Sequence, residues 1–146
     1  MISIKQLNKK DVDLCYEFDF NTISLWSKNQ WANEFKKEGV KIFGLLFENL
    51  IIGICVYQVV LDEVQINYLV VNQKFRKRGY GSFLMNYLIK RCEKQRIRKL
   101  LLEVSKNNLI AEKFYFSFDF NTVGKRSNYY KDGSDALLKE KILTTK

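Results

Sequence analysis

Arg76-Lys77-Arg78-Gly79-Tyr80-Gly81-Ser82 sets three basic side chains against two glycines, and Asn72-Gln73-Lys74-Phe75 joins it to the apolar run Tyr68-Leu69-Val70-Val71. Glycine lets backbone approach a ligand closely, and the free amides at a helix start point at an anion. With Lys77 and Arg78 beside them, the chemistry suits a pyrophosphate. A Walker loop, GxxxxGK followed by Ser or Thr, is absent. A dinucleotide turn needs a third glycine where Leu84 stands, although Glu103 sits at a suitable downstream spacing for a ribose contact. The chain has no histidine. That removes Ser-His-Asp and Cys-His nucleophiles and every histidine metal site. Catalysis must then run on carboxylates, tyrosine, lysine, backbone amides or water.

These residues need a scaffold, and 146 residues fit one domain spanning the whole chain. A hydrophobic content of 47% is enough for a real core. The charge of +9 suits a polyanionic partner, whether a nucleotide cofactor, RNA or a ribonucleoprotein surface, without choosing among them. Cys15, Cys55 and Cys92 are far apart and form no CxxC, so buried thiols are expected rather than disulfides or a metal site. No apolar stretch is long enough to span a membrane. The charged start lacks a signal peptide's apolar region, so a cytoplasmic location is expected.

Local patterns supply the elements. Ile2-Ser-Ile-Lys-Gln-Leu alternates as a strand. Asn8 with Asp11 forms a helix-start box, opening a helix to about Phe18. Ser27 caps a second helix that Gly39 ends. Val40–Phe47 and Leu50–Val60 read as a hairpin about Glu48-Asn49, and residues 65–71 as a further strand. Residues 81 to about 95 form an amphipathic helix with Leu84, Leu88 and Cys92 on one face. Lys99–Ser105 is a strand, Leu109–Ser117 a helix, residues 118–123 are extended and residues 136–143 a last strand. The order β-α-α-β-β-β-α-β-α-β-β predicts an α/β domain with a mixed central sheet flanked by helices. The basic run at residues 91–99 reads as a solvated helix end.

Between a strand and an amphipathic helix, Arg76-Lys77-Arg78-Gly79-Tyr80-Gly81 resembles the acetyl-CoA signature of the GNAT acetyltransferases, Q/R-x-x-G-x-G/A. Tyr57-Gln-Val-Val-Leu-Asp-Glu-Val, Leu101-Leu-Glu-Val-Ser-Lys-Asn-Asn and Ser127-Asn-Tyr-Tyr-Lys-Asp-Gly-Ser-Asp-Ala narrow it. They are similar to the bacterial RimI-type ribosomal-protein alanine N-acetyltransferases. The resemblance implies a GNAT fold whose sheet splays at the cofactor strand. It implies acetyl-CoA as co-substrate without a metal, held by Arg76, Lys77, Arg78, Gly79, Tyr80, Gly81 and Ser82. It implies Glu103 as general base and Tyr115 as general acid. Backbone amides at Leu69, Val70 and Val71 would hold the thioester carbonyl, and Asn108 would touch the cofactor. The residue types suit these roles. An attacking amine must lose a proton, the leaving thiolate benefits from a hydroxyl donor, and the carbonyl oxygen needs an amide. Each has a plainer reading: Glu103 as a solvated strand residue, Tyr115 as a core aromatic among Phe114, Phe116 and Phe118, and Asn108 as a helix cap.

Trp26, Trp31, Tyr129 and Tyr130 are candidates for lining the acceptor cleft, with core packing as the alternative. Three departures stand out. Asn72-Gln73 replaces Asp-Pro and is expected to loosen the turn. Asp119-Phe120 replaces the usual Gly-Phe, with aspartate tolerating a left-handed backbone. The final loop is shorter than the common form. The expected function is acetylation of the N-terminal alanine of a small-subunit ribosomal protein by a monomer, without a membrane and with no direct nucleic-acid binding required. Alternatives are a relative that acetylates another terminus, a lysine or a small amine, and a silent basic RNA- or ribosome-binding module.

Overall fold

The computed structural model describes residues 1–143. Among them lie β1 (Ile2–Gln6), α1 (Val12–Phe20), α2 (Lys28–Lys36), β2 (Val40–Phe47), β3 (Leu50–Val60), β4 (Glu63–Val71), α3 (Tyr80–Lys94), β5 (Lys99–Ser105), α4 (Leu109–Ser117), β6 (Asn121–Arg126) and β7 (Ala136–Ile142). The strand order is β1-β2-β3-β4-β5-β7-β6. The sheet is mixed, because β4 runs parallel to β5 while β1–β2, β2–β3, β5–β7 and β6–β7 are antiparallel. The parallel pairing couples Glu63 with Lys99, Val64 with Leu100 and Gln65 with Leu101.

Most local signals act as read, with shifts of boundary; the strand expected at residues 65–71, for one, begins at Glu63. Asn8 and Asp11 close a reciprocal box around a 3-10 turn at Lys9–Asp11, and α1 follows it to Phe20. Ser27 and Gln30 close a second box at the start of α2. Glu48 and Asn49 both take positive φ, 50° and 70°, the turn whose twist suits a two-residue hairpin. Gly39 does not end α2, because Lys37 already leaves the helix in an extended conformation. Gly39 instead enters β2 at φ +80°, where a Cβ would lie 2.5 Å from the Val59 carbonyl oxygen. The strand expected from residue 118 begins at Asn121, since Phe118 and Asp119 close α4.

The chain groups into two compact units. The first comprises Met1–Val59 and Ile66–Arg91, the second Val60–Gln65 and the chain from Cys92 on. In the first, β2 and β3 are buried on both faces, so they read as apolar runs rather than alternating ones. One face packs Ile42, Ile54, Val56, Tyr68 and Val70 with Cys15 and Phe18 of α1 and Trp31 of α2. Phe43 and Tyr57 alternate with these residues and stack on each other at 6.1 Å. Phe43 also meets the Tyr87 ring of α3 at 5.5 Å. Each large side chain so buried contributes about 1.5–3 kcal/mol. Arg91, expected as part of a solvated helix end, lies with its guanidinium 4.8 Å from the Phe43 ring centre and donates to the Tyr57 hydroxyl at 3.4 Å. Its charge is held on an aromatic face.

In the second unit β5 alternates, with Leu100, Leu102 and Val104 buried and Leu101, Glu103 and Ser105 half-buried. Leu102 pairs with Lys139 of β7, so those two side chains share a face. Lys139 is 7% exposed, and its Nζ meets Glu112 Oε1 of α4 at 3.1 Å and Thr122 Oγ1 at 2.7 Å. The buried ammonium has a carboxylate and a hydroxyl, which a buried charge requires.

Candidate active site

The basic turn belongs to the first unit. Asn72 was expected to loosen it. Instead its side chain accepts from the Lys74 amide at 3.0 Å and caps a short 3-10 turn, Gln73–Phe75. Arg76 Nε then donates to the Val71 carbonyl at 3.3 Å, tying the loop back to β4. Arg78 lies over the Phe75 ring at 5.6 Å, and Lys77 and Gly79 take positive φ, 64° and 80°. The reversal delivers the chain into α3. Its first helical bond runs from the Phe83 amide to the Gly79 carbonyl at 2.9 Å. The amides of Gly79, Tyr80, Gly81 and Ser82 precede that bond and have no partner within the helix. No heavy atom lies within 4 Å of where a Gly79 Cβ would stand, so backbone conformation, not crowding, selects glycine there. Open amides, the positive end of the helix dipole and exposed Arg76, Lys77 and Arg78 make an anion cradle. Leu84, at the position of the third dinucleotide glycine, is 1% exposed core.

Glu103 belongs to the second unit. It lies inside β5, not at a strand end, on the face opposite Leu102 and Lys139. Its side chain is 27% exposed, and Oε1 lies 3.6 Å from an Arg126 guanidinium nitrogen. Tyr130 sits close by: its hydroxyl is raised above the usual tyrosine range, first by burial and then by the charges of Glu103 and Tyr129. Residues 127–135 are knit by the Tyr129 and Tyr130 amides, which both donate to the Ser134 carbonyl. The Ser134 hydroxyl lies 2.9 Å from that of Ser105 and donates to Asp132 at 2.6 Å. Arg126 and Tyr130 beside Glu103 were not foreseen in these roles. The periodicity that puts Arg126 on the Ser105 face appears only once β6 and β7 are in register.

Tyr115 is half-buried on α4, edge to face with Phe120 at 5.5 Å. Since Glu112 of the same helix meets Lys139, α4 lies on the face of β5 opposite Glu103. Asn108 caps α4, accepting from the Ala111 amide at 3.1 Å. Trp31 is fully buried, and its ring centre lies 4.7 Å from that of Trp26 and 5.1 Å from that of Tyr68, so both tryptophans pack as core or core border. Tyr129 is exposed, its ring 5.5 Å from the Arg126 guanidinium carbon. All three cysteines are buried, and burial together with Asp11 pushes the Cys15 thiol up to about 12. Among the described residues no cluster of three His, Cys, Asp or Glu side chains is placed to hold a metal ion, and no helix is long and apolar enough to cross a membrane.

Residues 7–120 match the acetyltransferase (GNAT) family. The ribosomal protein bS18-alanine N-acetyltransferase of Haemophilus ducreyi is 36% identical over 113 residues, covering 75% of this chain and 76% of that protein. The crystal structure of the ribosomal-protein-S18-alanine N-acetyltransferase from Escherichia coli superposes with a TM-score of 0.93 at 29% identity, covering 100% of this chain and 96% of that one. Arabidopsis thaliana NAA60 in complex with acetyl-CoA shares the fold, with a TM-score of 0.83 at 18% identity, covering 98% of this chain and 99% of that one.

Proposed function

Because this chain belongs to the acetyltransferase (GNAT) family, we propose that it transfers the acetyl group of acetyl-CoA to the N-terminal α-amine of alanine on a small-subunit ribosomal protein. The observation that carries the co-substrate is the turn at residues 76–82, where open amides and basic side chains suit the pyrophosphate. The acceptor follows from the activity named for relatives that align along three quarters of the chain.

In this reading each residue has one task. Arg76, Lys77 and Arg78 neutralise phosphate charge while the amides of Gly79, Tyr80, Gly81 and Ser82 donate to it. Amides at Leu69, Val70 and Val71 hold the thioester oxygen as it gains charge. Glu103 accepts the proton of the attacking amine, directly or through water. An α-amine, with a pKa of about 8 against about 10.4 for lysine, is the easier group to deprotonate. Tyr115 donates to the departing thiolate, and Asn108 holds α4 at the cofactor. Residues 1–146 are read as one acetyltransferase domain, a cytoplasmic monomer needing neither membrane nor nucleic acid.

Peptides beginning with Ala, Ser or Met, and one carrying an internal lysine, test the reading in an acetylation assay. The Ala peptide should be acetylated fastest, at its terminus. A faster internal lysine would reassign the acceptor. Absence of acetyl-CoA binding by calorimetry would favour a basic RNA- or ribosome-binding module instead.

A further inference from the structure

Helix α4 carries Tyr115, yet it has little apolar anchorage of its own. Among its described residues none is buried, and Leu109, Ile110 and Phe116 are 67%, 79% and 75% exposed. A helix with so few buried apolar contacts belongs to the low-stability end of a structure. Its place over the sheet then depends on directional bonds. At the start, the Asn108 amide donates to the Ser105 carbonyl at 3.0 Å, tying the first turn to the end of β5. Past the last turn, the Phe120 amide donates to the Tyr115 carbonyl at 3.1 Å. Between these, Glu112 Oε1 accepts from Lys139 Nζ at 3.1 Å.

Lys139 is the unusual member of this set. It stands on β7 at 7% exposure, and its Nζ also donates to Thr122 Oγ1 of β6 at 2.7 Å. One ammonium thus joins α4, β6 and β7. Burying it is expensive, and an apolar side chain in such a place is commonly the more stable choice. What the ammonium supplies is direction: a charge-assisted bond to one carboxylate oxygen sets how α4 is rotated about its axis. Rotation matters because successive residues of a helix stand about 100° apart. Glu112 and Tyr115 are three residues apart and so are neighbours on the helix surface. A bond that holds Glu112 therefore also sets where Tyr115 stands.

We propose that Lys139 is a positioning residue for the proton donor: through Glu112 it fixes the rotation of α4, and with it the place of the Tyr115 hydroxyl. The proposal rests on the reading of Tyr115 as donor to the departing thiolate. Lys139 itself touches neither substrate nor cofactor in this role. A lysine that served stability alone would lower turnover equally whether or not residue 115 bears a hydroxyl. A positioning lysine matters only while there is a hydroxyl to misplace.

The test is Lys139→Met, which keeps the length of the side chain and removes the ammonium, made alone and together with Tyr115→Phe. Alone, kcat for an Ala-initial peptide should fall about tenfold or more, since small misplacements of a catalytic group are costly. Acetyl-CoA affinity and peptide KM should each change less than about twofold, because Asn108 keeps its own bond to β5. Added to Tyr115→Phe, the same substitution should lower kcat by less than about twofold. Equal losses in the two backgrounds overturn the proposal. So does an unchanged kcat in folded Lys139→Met, or a loss of acetyl-CoA affinity that matches the fall in kcat. If Lys139→Met does not fold, Glu112→Ala breaks the same bond from the helix side and is judged by the same ratios. Wild-type turnover in Tyr115→Phe alone is a separate outcome: it removes Tyr115 as the donor, and the role of Lys139 falls with it.

Discussion

Phe120 is bound to Tyr115 twice: its amide donates to the Tyr115 carbonyl at 3.1 Å, and its buried ring meets the tyrosine ring edge to face at 5.5 Å. The ring contact holds Tyr115 whether or not it bears a hydroxyl. Tyr115→Phe keeps that ring contact and should leave acetyl-CoA affinity nearly intact while cutting turnover by about 100- to 10,000-fold, the usual contribution of a general acid. Full activity with a lowered melting temperature would make Tyr115 a core aromatic.

The same helix end supplies a stability prediction. Phe120 to Tyr115 and Asp119 to Phe116 are the two bonds of a Schellman ending, with Asp119 at φ +66° in the position usually held by glycine. Aspartate bears the left-handed backbone at some cost. Asp119→Gly should raise stability by about 0.5–1 kcal/mol without changing turnover, as measured by urea unfolding. A destabilised variant would show that the aspartate side chain contributes more than its backbone strain costs.

Glu103 and α4 lie on opposite faces of β5, and the proton-accepting role proposed for Glu103 is tested by removing its charge alone. Glu103→Gln keeps size and hydrogen bonding but cannot take a proton. Turnover should collapse at neutral pH and recover in part as pH rises, because the amine then deprotonates unaided. Recovery should come at lower pH for N-terminal amines than for lysine, whose pKa values are about 8 and about 10.4. Activity near wild type at neutral pH would leave proton acceptance to water.

Screening should reveal the basic turn. Acetyl-CoA affinity should fall with added salt, and replacing Lys77 and Arg78 together by Ala should weaken binding and flatten that slope. An unchanged slope counts against phosphate contacts. Gly79→Ala, strained at φ +80° in otherwise open space, should cost stability by roughly 1 kcal/mol while still folding.

Alkali probes the first unit's core. Cys15 is raised from 9.0 to about 12 by burial and then Asp11, and Tyr68 is raised from 10.0 by burial and then Asp19. Both folded values lie above the unfolded ones, so their contribution is complete below pH 9 and is lost as pH climbs towards the folded values. The stability gap between wild type and Cys15→Ala should shrink between about pH 9 and about pH 12. A constant gap would remove the Cys15 thiol from the alkaline loss.

Much of the architecture is legible in local chemistry because caps, turns and periodicities act over a few residues. Asn8 with Asp11, Ser27 with Gln30, and Glu48 with Asn49 set backbone dihedrals wherever the chain goes next. Leu84, Leu88 and Cys92 share a helix face by spacing alone and are all buried. The 76–82 turn was readable for the same reason, since open amides belong to any helix start. Asn72 shows the limit of a family pattern: a different residue closes the turn by capping it. Tertiary structure decided the rest. Glu103 takes its face, and gains Arg126 and Tyr130, only through the pairing of β5 with β7 and β7 with β6. Arg91 becomes an aromatic-bound cation only because Phe43 and Tyr57 come beneath it. Asp19 reads as an ordinary helix-end acid until Leu25, Trp26, Trp31 and Tyr68, from 6 to 49 residues away, converge on its carboxylate. A side chain's polarity is written in its type, but whether its charge is buried, and which donors meet it, depends on chain segments that only the fold brings together.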